Sequence, residues 1–411
     1  MTGTPHMSTP SQQALPQGAA AGTTSRTRLL TEAMVWLSVG HLTTDLFSAT
    51  VPTLQPVLTE RFSMSLAQAG VLGGVFMFSS SVLQLPFGIL SDKLQSRAFS
   101  IVGPLAAGIF LSSLSWAESY GMLLALVFLG GMGVAAFHPQ STGEASRLSG
   151  ERKGVGVAVF ITAGTFGLAC GPPYMAAIIA NFGFDRLPLA MILAVVVCVM
   201  MFLRLPAPPA HAVANRRIDW AVLSAVRKPL TVLYVLVVIR SMVQLGVAQF
   251  LTLYLTRERG FSIEAASFSL ALFFLAAATG SLAGGHLADR VGGARVVQLS
   301  MIGSVPFFVL FLMADSWLSL AGLFIGGMVL LMTIPVNVVM AQELAPTQRG
   351  IVTSLMMGFA WGLAGMVFIP LVGWIADRTG IEAVFYGVSL LPLVGFALSF
   401  ALPKDGPATA S

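Results

Sequence analysis

Long apolar runs alternate with short polar breaks along the whole chain, and the first run, from about Ala33 to Leu58, sets the scale. It exceeds the ~20 residues that an α-helix needs to cross a hydrocarbon core of about 30 Å. Glycine, proline and charge punctuation divides the rest into eleven further runs, centred near Met77, Gly108, Gly133, Gly167, Val195, Met242, Phe274, Phe307, Met332, Gly362 and Leu391. The pattern predicts twelve membrane-spanning elements, which we number as spans 1 to 12 in chain order. They must be helices, because backbone groups in hydrocarbon have to be satisfied within each segment. The expected fold class is therefore all-α integral membrane.

Composition agrees with the pattern: 56% of the 411 residues are hydrophobic and 9% charged, against about a quarter charged in soluble domains. Residues 1–28, rich in Pro, Ser, Thr, Gln and Ala, lack apolar periodicity and read as a disordered tail rather than a signal peptide. Cys170 and Cys198 sit in apolar runs and read as small packing residues. Charge supplies orientation. With the N-terminal end inside, sixteen of the twenty-two Lys and Arg fall on that side. Only Arg61, Arg186, Arg257, Arg259 and Arg378 fall outside, and Arg240 lies within span 7. The positive-inside rule then places both chain ends in the cytoplasm.

The stretch 205–228, containing "PAPPAHAVANRR", has the composition of a flexible linker. It separates a first half, 29–204, from a second, 229–404, followed by a short tail, 405–411. The halves repeat. "GILSDK" at Gly88 matches "GHLADR" at Gly285, "GGM" at Gly130 with Pro139 matches "GGM" at Gly326 with Pro335, and "RKG" at Arg152 resembles "QRG" at Gln348. All lie 196 or 197 residues apart, which indicates two six-helix halves in a parallel repeat.

The motif "GILSDKLQSR", with Gly88, Asp92, Lys93 and Arg97, and its repeat "GHLADRVGGAR", with Asp289, Arg290 and Arg295, resemble the loop pattern of the major facilitator superfamily. Within it, "SVGHLTTDLFSATVPTLQPVL", "GMGVAAFHPQSTGEASRL" and "MAQELAPTQRG" resemble the fosmidomycin-resistance transporters. That family's pattern has an acidic residue where Gln140 stands here; Glu144 is one turn further on, beside Arg147, and reads as a structural pair. The resemblance implies alternating access between the halves, export of an anionic, drug-like phosphonate by proton antiport at the inner membrane, and a loop that latches the halves through Gly88, Asp92, Lys93, Arg97, Asp289, Arg290 and Glu343. The glycines of "GTFGLACGPP" and "GFAWGLAG" resemble the antiporter-type motif and would let spans 5 and 11 pack closely.

An ionisable side chain inside a membrane costs a few kcal/mol on insertion scales and marks a functional site by default. His41 and Asp45 share one helix face near the midplane of span 1, and Arg240 lies at a similar depth in span 7. The sequence suggests Asp45, aided by His41, as the proton-coupling group and as resting partner of Arg240, which an anionic substrate would displace. A permanent structural pair between the halves is the competing reading. His138, Gln84, Gln244 and Asn337 are the expected companions of Arg240 in substrate binding, His138 beside the helix-loosening Pro139. His41 and Asp45 alone do not complete a coordination sphere, so no metal is expected, nor any cofactor. No Walker A, G-x-S-x-G or zinc spacing occurs, which leaves an enzyme without chemistry. The expected partners are a small-molecule substrate, protons and the lipid bilayer, for a monomer that binds no nucleic acid. The alternatives are proton-coupled uptake of an organic anion and a non-transporting membrane receptor.

Overall fold

The computed structural model describes residues 31–94, 96–149, 153–207 and 218–403, with the backbone alone at 92 and 153–155. Residues 1–28, 208–217 of the linker and the tail 405–411 lie outside the described residues. Among those described, eleven helices are long and apolar enough to cross a membrane. They are Leu66–Ser91, Ala98–Trp116, Tyr120–Leu148, Gly156–Phe182, Phe184–Arg204, Arg227–Arg257, Ile263–Val291, Gly293–Met313, Ser316–Leu344, Pro346–Thr379 and Ile381–Ser399, which are spans 2 to 12. Span 1 comprises Glu32–Ser48 and Thr50–Arg61, joined through Ala49 in helical conformation, so that Thr53 N–H still donates to Ala49 O at 3.2 Å.

Local sequence explains the ends. Ser65, Ser119 and Ser262 open spans 2, 4 and 8, each hydroxyl accepting from a backbone N–H three residues on, which satisfies donors that a helix start leaves free. Gly292 (φ 90°) and Gly380 (φ 87°) make the tight turns after spans 8 and 11, where a side chain would be strained. The outer surface carries large exposed apolar groups such as Leu282, Trp317, Met313 and Leu85. On a twelve-span bundle these face lipid.

The two halves meet along spans 2 and 11, 5 and 8, and 1 and 7. Small residues permit the approach. A Cβ on Gly373 would fall 2.1 Å from Leu66 O, and one on Gly70 would fall 2.7 Å from Ile369 O. Thr252 of span 7 donates to Pro52 O of span 1 at 2.5 Å. These contacts lie toward the end of the bundle that carries Ser65 and Asp377. Toward the other end, which carries the linker, Gln84–Leu94 of span 2 packs against span 4 of its own half.

Two features depart from expectation. Helix continues through Pro139 without a break in Tyr120–Leu148. The wide turns are instead π-helical segments at Phe78–Val82 in span 2 and Leu355–Phe359 in span 11, which touch each other across the halves. Wide turns of this kind cluster at functional sites.

Candidate functional site

Asp45 sits 13 residues into span 1, so at 1.5 Å per residue it lies about 20 Å from the linker end. Its carboxylate is held between two histidines: Oδ2 is 3.3 Å from His41 Nε2 and Oδ1 is 3.2 Å from His138 Nε2. Each imidazole is oriented from behind. His41 Nδ1 is 2.8 Å from Phe160 O, and His138 Nδ1 is 2.9 Å from Val134 O. A carbonyl only accepts, so both Nδ1 atoms carry protons and donate. The His41 ring stacks on Phe160 at 4.1 Å and meets the His138 ring edge-on at 5.2 Å. Pro139 follows His138, and the helix turn that holds His138 over Val134 O is what aims its Nε2 at span 1.

Span 5 presses on this cluster at Gly164, where a Cβ would fall 2.4 Å from His41 Nε2 and 2.6 Å from Asp45 Oδ2. Gly167 and Gly171 bring the same helix against Leu42 O and Leu46 O. Gly164→Ala is therefore expected to push the carboxylate off one imidazole and lower proton-driven transport at least tenfold. Transport in vesicles, alongside thermal melting of the purified protein as a folding control, checks this.

Arg240 does not pair with Asp45. The pairing suggested by sequence fails because the two histidines already occupy the carboxylate, while the guanidinium turns into its own half. Arg240, 3% exposed, donates to Gln244 Oε1 and Ser241 Oγ, both at 2.9 Å. It makes no ion pair among the described residues. Its Nε has no partner. A narrow crevice of about 10 Å³, room for roughly one water, lies beside it, lined by Val237 of span 7, Ile334, Asn337 and Val338 of span 10, and Met356, Met357 and Trp361 of span 11. Both polar atoms of the Asn337 side chain and the Trp361 indole N–H also lack partners. Burying such groups unsatisfied costs free energy that a ligand recovers. Met356 and Met357 belong to the π-helical segment, so the wall of the pocket is the wide turn of span 11.

The other predicted residues separate. Gln244 orients Arg240, and Asn337 lines the pocket. His138, placed with the substrate group on sequence grounds, belongs to the Asp45 cluster. Gln84 donates to Ser80 O of its own helix at 2.8 Å and is not among the pocket residues. Glu144 pairs with Arg147, and Gln140 bonds Ser96 O. Among the loop residues, Gly88 rests near Pro139, Arg97 bonds Leu205 O, and Lys93, Asp289, Arg290 and Glu343 are exposed. The Asp92 side chain lies outside the described residues.

A latch the sequence reading missed is at the opposite end. The Asp377 carboxylate, at the end of span 11, accepts from Leu66 N–H at 2.7 Å and Ala67 N–H at 2.9 Å, the free donors that start span 2. "GWIADR" at Gly373 is a third copy of the "GHLADR" pattern, and that was the available signal. Asp377→Asn is expected to loosen this end. Spin labels at Glu60 and Glu382 should report a larger population of long separations, and unchanged distances would refute the latch.

The chain matches the family model described as Major Facilitator Superfamily over residues 37–269 and 233–411. It is 30% identical over 406 residues to the fosmidomycin resistance protein of Escherichia coli (strain K12), covering 96% of this chain and 98% of that protein. It is 28% identical to the uncharacterized MFS-type transporter YfnC of Bacillus subtilis (strain 168), covering 90% and 93%. A crystal structure of a bacterial homologue of the human lysosomal transporter Spinster, inward-facing and occupied, superposes with a TM-score of 0.77 at 13% identity, covering 89% of this chain and 95% of that one. With the two-half bundle, the shared midplane depth of Asp45 and Arg240 and these matches together, the chain belongs to the major facilitator superfamily of membrane transporters.

Proposed function

We propose that the protein exports a small anionic compound of the phosphonate class by proton antiport, with both chain ends in the cytoplasm of a cell whose inner membrane it spans. The observation that carries this reading is the buried guanidinium of Arg240, free of any acidic partner and facing a pocket with three further unsatisfied polar atoms. A guanidinium matches the oxygens of a phosphonate or carboxylate, and with room for roughly one water beside Arg240, about 10 Å³, the anion enters only when spans 7, 10 and 11 part. The fosmidomycin resistance relative, similar over nearly the whole chain, favours the phosphonate. The receptor reading finds no support in the relatives. Membrane potential favours export of an anion by about 2.3 kcal/mol per charge per 100 mV.

The proton centre, on this reading, is Asp45 with His41 and His138. With each Nδ1 already donating, a hydrogen bond from Nε2 to the carboxylate needs a second proton on that imidazole, so the contacts are places where protons are gained and lost. Gaining or losing protons there changes the charge of the first half, while the anion occupies the second. Since the two groups share no side chain, both can be loaded together, and this favours uptake of an organic anion with protons as the second reading. The similarity to the 4-hydroxybenzoate transporter PcaK of Pseudomonas aeruginosa, 27% over 41% of the chain, favours an organic anion as the substrate on that reading.

Everted and right-side-out vesicles separate the readings. Export by antiport predicts protonophore-sensitive accumulation of fosmidomycin in everted vesicles, and uptake predicts it in right-side-out ones; accumulation in neither sinks the phosphonate reading. Asn337→Leu is expected to weaken the anion about tenfold, read as a raised half-saturation concentration. A periplasm-active reporter fused after Ser411 should stay silent.

A further inference from the structure

We propose that His41, Asp45 and His138 form a binding site for one divalent transition-metal ion of the zinc type, which takes the place of protons at the centre of the first half. Sequence spacing offered two ligands, and the fold supplies the third from span 4. The two imidazole Nε2 atoms and a carboxylate oxygen all lie within 4.8 Å of one another. Zinc bonds of 2.0–2.1 Å in tetrahedral geometry set ligand atoms about 3.3 Å apart. The two contacts to Asp45 measure 3.3 Å from His41 to Oδ2 and 3.2 Å from His138 to Oδ1, one on each carboxylate oxygen.

Three further observations support the site. Each histidine donates its Nδ1–H to a backbone carbonyl, Phe160 O or Val134 O, which is how ligating imidazoles are usually oriented, with the Nε2 lone pair aimed at the metal. Gly164 of span 5 packs directly against His41 Nε2 and Asp45 Oδ2, which holds both ligand atoms in place. The His138 side chain is 24% exposed, so the cluster has a wet side for entry and for a fourth, water ligand. Charge also balances. Two neutral imidazoles and a carboxylate holding a dication carry +1, the same charge as the cluster holding two extra protons. Two imidazoles and one carboxylate favour zinc, cobalt or nickel over magnesium or calcium.

This goes beyond the transport reading and is tested without transport. Zn²⁺ is titrated calorimetrically into the purified, untagged full chain, and Co²⁺ binding is followed by visible absorption. The expected result is one site with intense four-coordinate cobalt bands, at least tenfold weaker in each of His41→Gln, Asp45→Asn and His138→Gln, and unchanged in His286→Gln. Mg²⁺ should give no heat. His138→Cys should keep zinc binding and add a thiolate-to-cobalt band, because sulfur replaces the lost nitrogen ligand; this guards against loss through misfolding. Absence of saturable Zn²⁺ binding to the wild-type chain, or binding that survives all three ligand substitutions, overturns the site.

Discussion

Arg240→Ala is expected to weaken anion binding sharply while the protein still folds. The guanidinium is 3% exposed and its hydrogen bonds go to neutral groups, Gln244 and Ser241. Removing it leaves no buried acid uncompensated, so stability should hold or rise, whereas the anion loses its only cationic partner among the pocket residues. Truncating one member of a buried charge pair costs about 2–5 kcal/mol, or roughly 30- to 4,000-fold in affinity. Binding by calorimetry on purified protein measures the first effect, and thermal melting the second. Arg240→Lys should recover only part of the affinity, because a point charge replaces a planar fork. Retained binding in Arg240→Ala would remove the anion from this pocket.

Asp45→Asn is expected to abolish proton-driven accumulation while leaving substrate exchange across the membrane intact. An amide NH2 can donate to the Nε2 of a neutral imidazole, so it keeps the cluster packed while removing the negative charge that draws protons to it. Loss of about a hundredfold or more in gradient-driven transport, with exchange preserved, would separate a coupling role from a folding role. Because Asp45 contacts the histidines rather than Arg240, the double change Asp45→Asn with Arg240→Gln should rescue nothing. Restored transport in that double variant would mean that the two charges compensate each other in some conformation, and the assignment of separate sites would fall.

The latch at Asp377 bears on both results. It joins the halves at the end opposite the linker, whereas Gln84–Leu94 of span 2, toward the linker end, packs against span 4 of its own half. A carboxylate held only by the dipole and free N–H groups of a helix start is bound weakly enough to release. Spans 2 and 11, which carry this contact, also carry the two π-helical segments. The same pair of helices thus supplies the closure, the wide turns and part of the pocket wall.

The sequence by itself determined the all-α membrane class and the approximate centres of the spans, because apolar run length is a local property that lipid enforces one segment at a time. It also marked Asp45, His41 and Arg240, since a charge in an apolar run is costly wherever the run packs. The partners of those charges were not legible. His138 is 93 residues from Asp45 in the chain, and its Nε2 reaches the carboxylate only because span 4 crosses span 1 at that height, with Gly164 of span 5 admitting both. Trp361, Met356 and Met357 join Arg240 only through the wide turn of span 11, which no periodicity predicts. Asp377 required the approach of span 11 to span 2. Depth in the membrane follows from position in a run, but rotation about each helix axis is set by packing against neighbours, and that rotation decided which charge faces which.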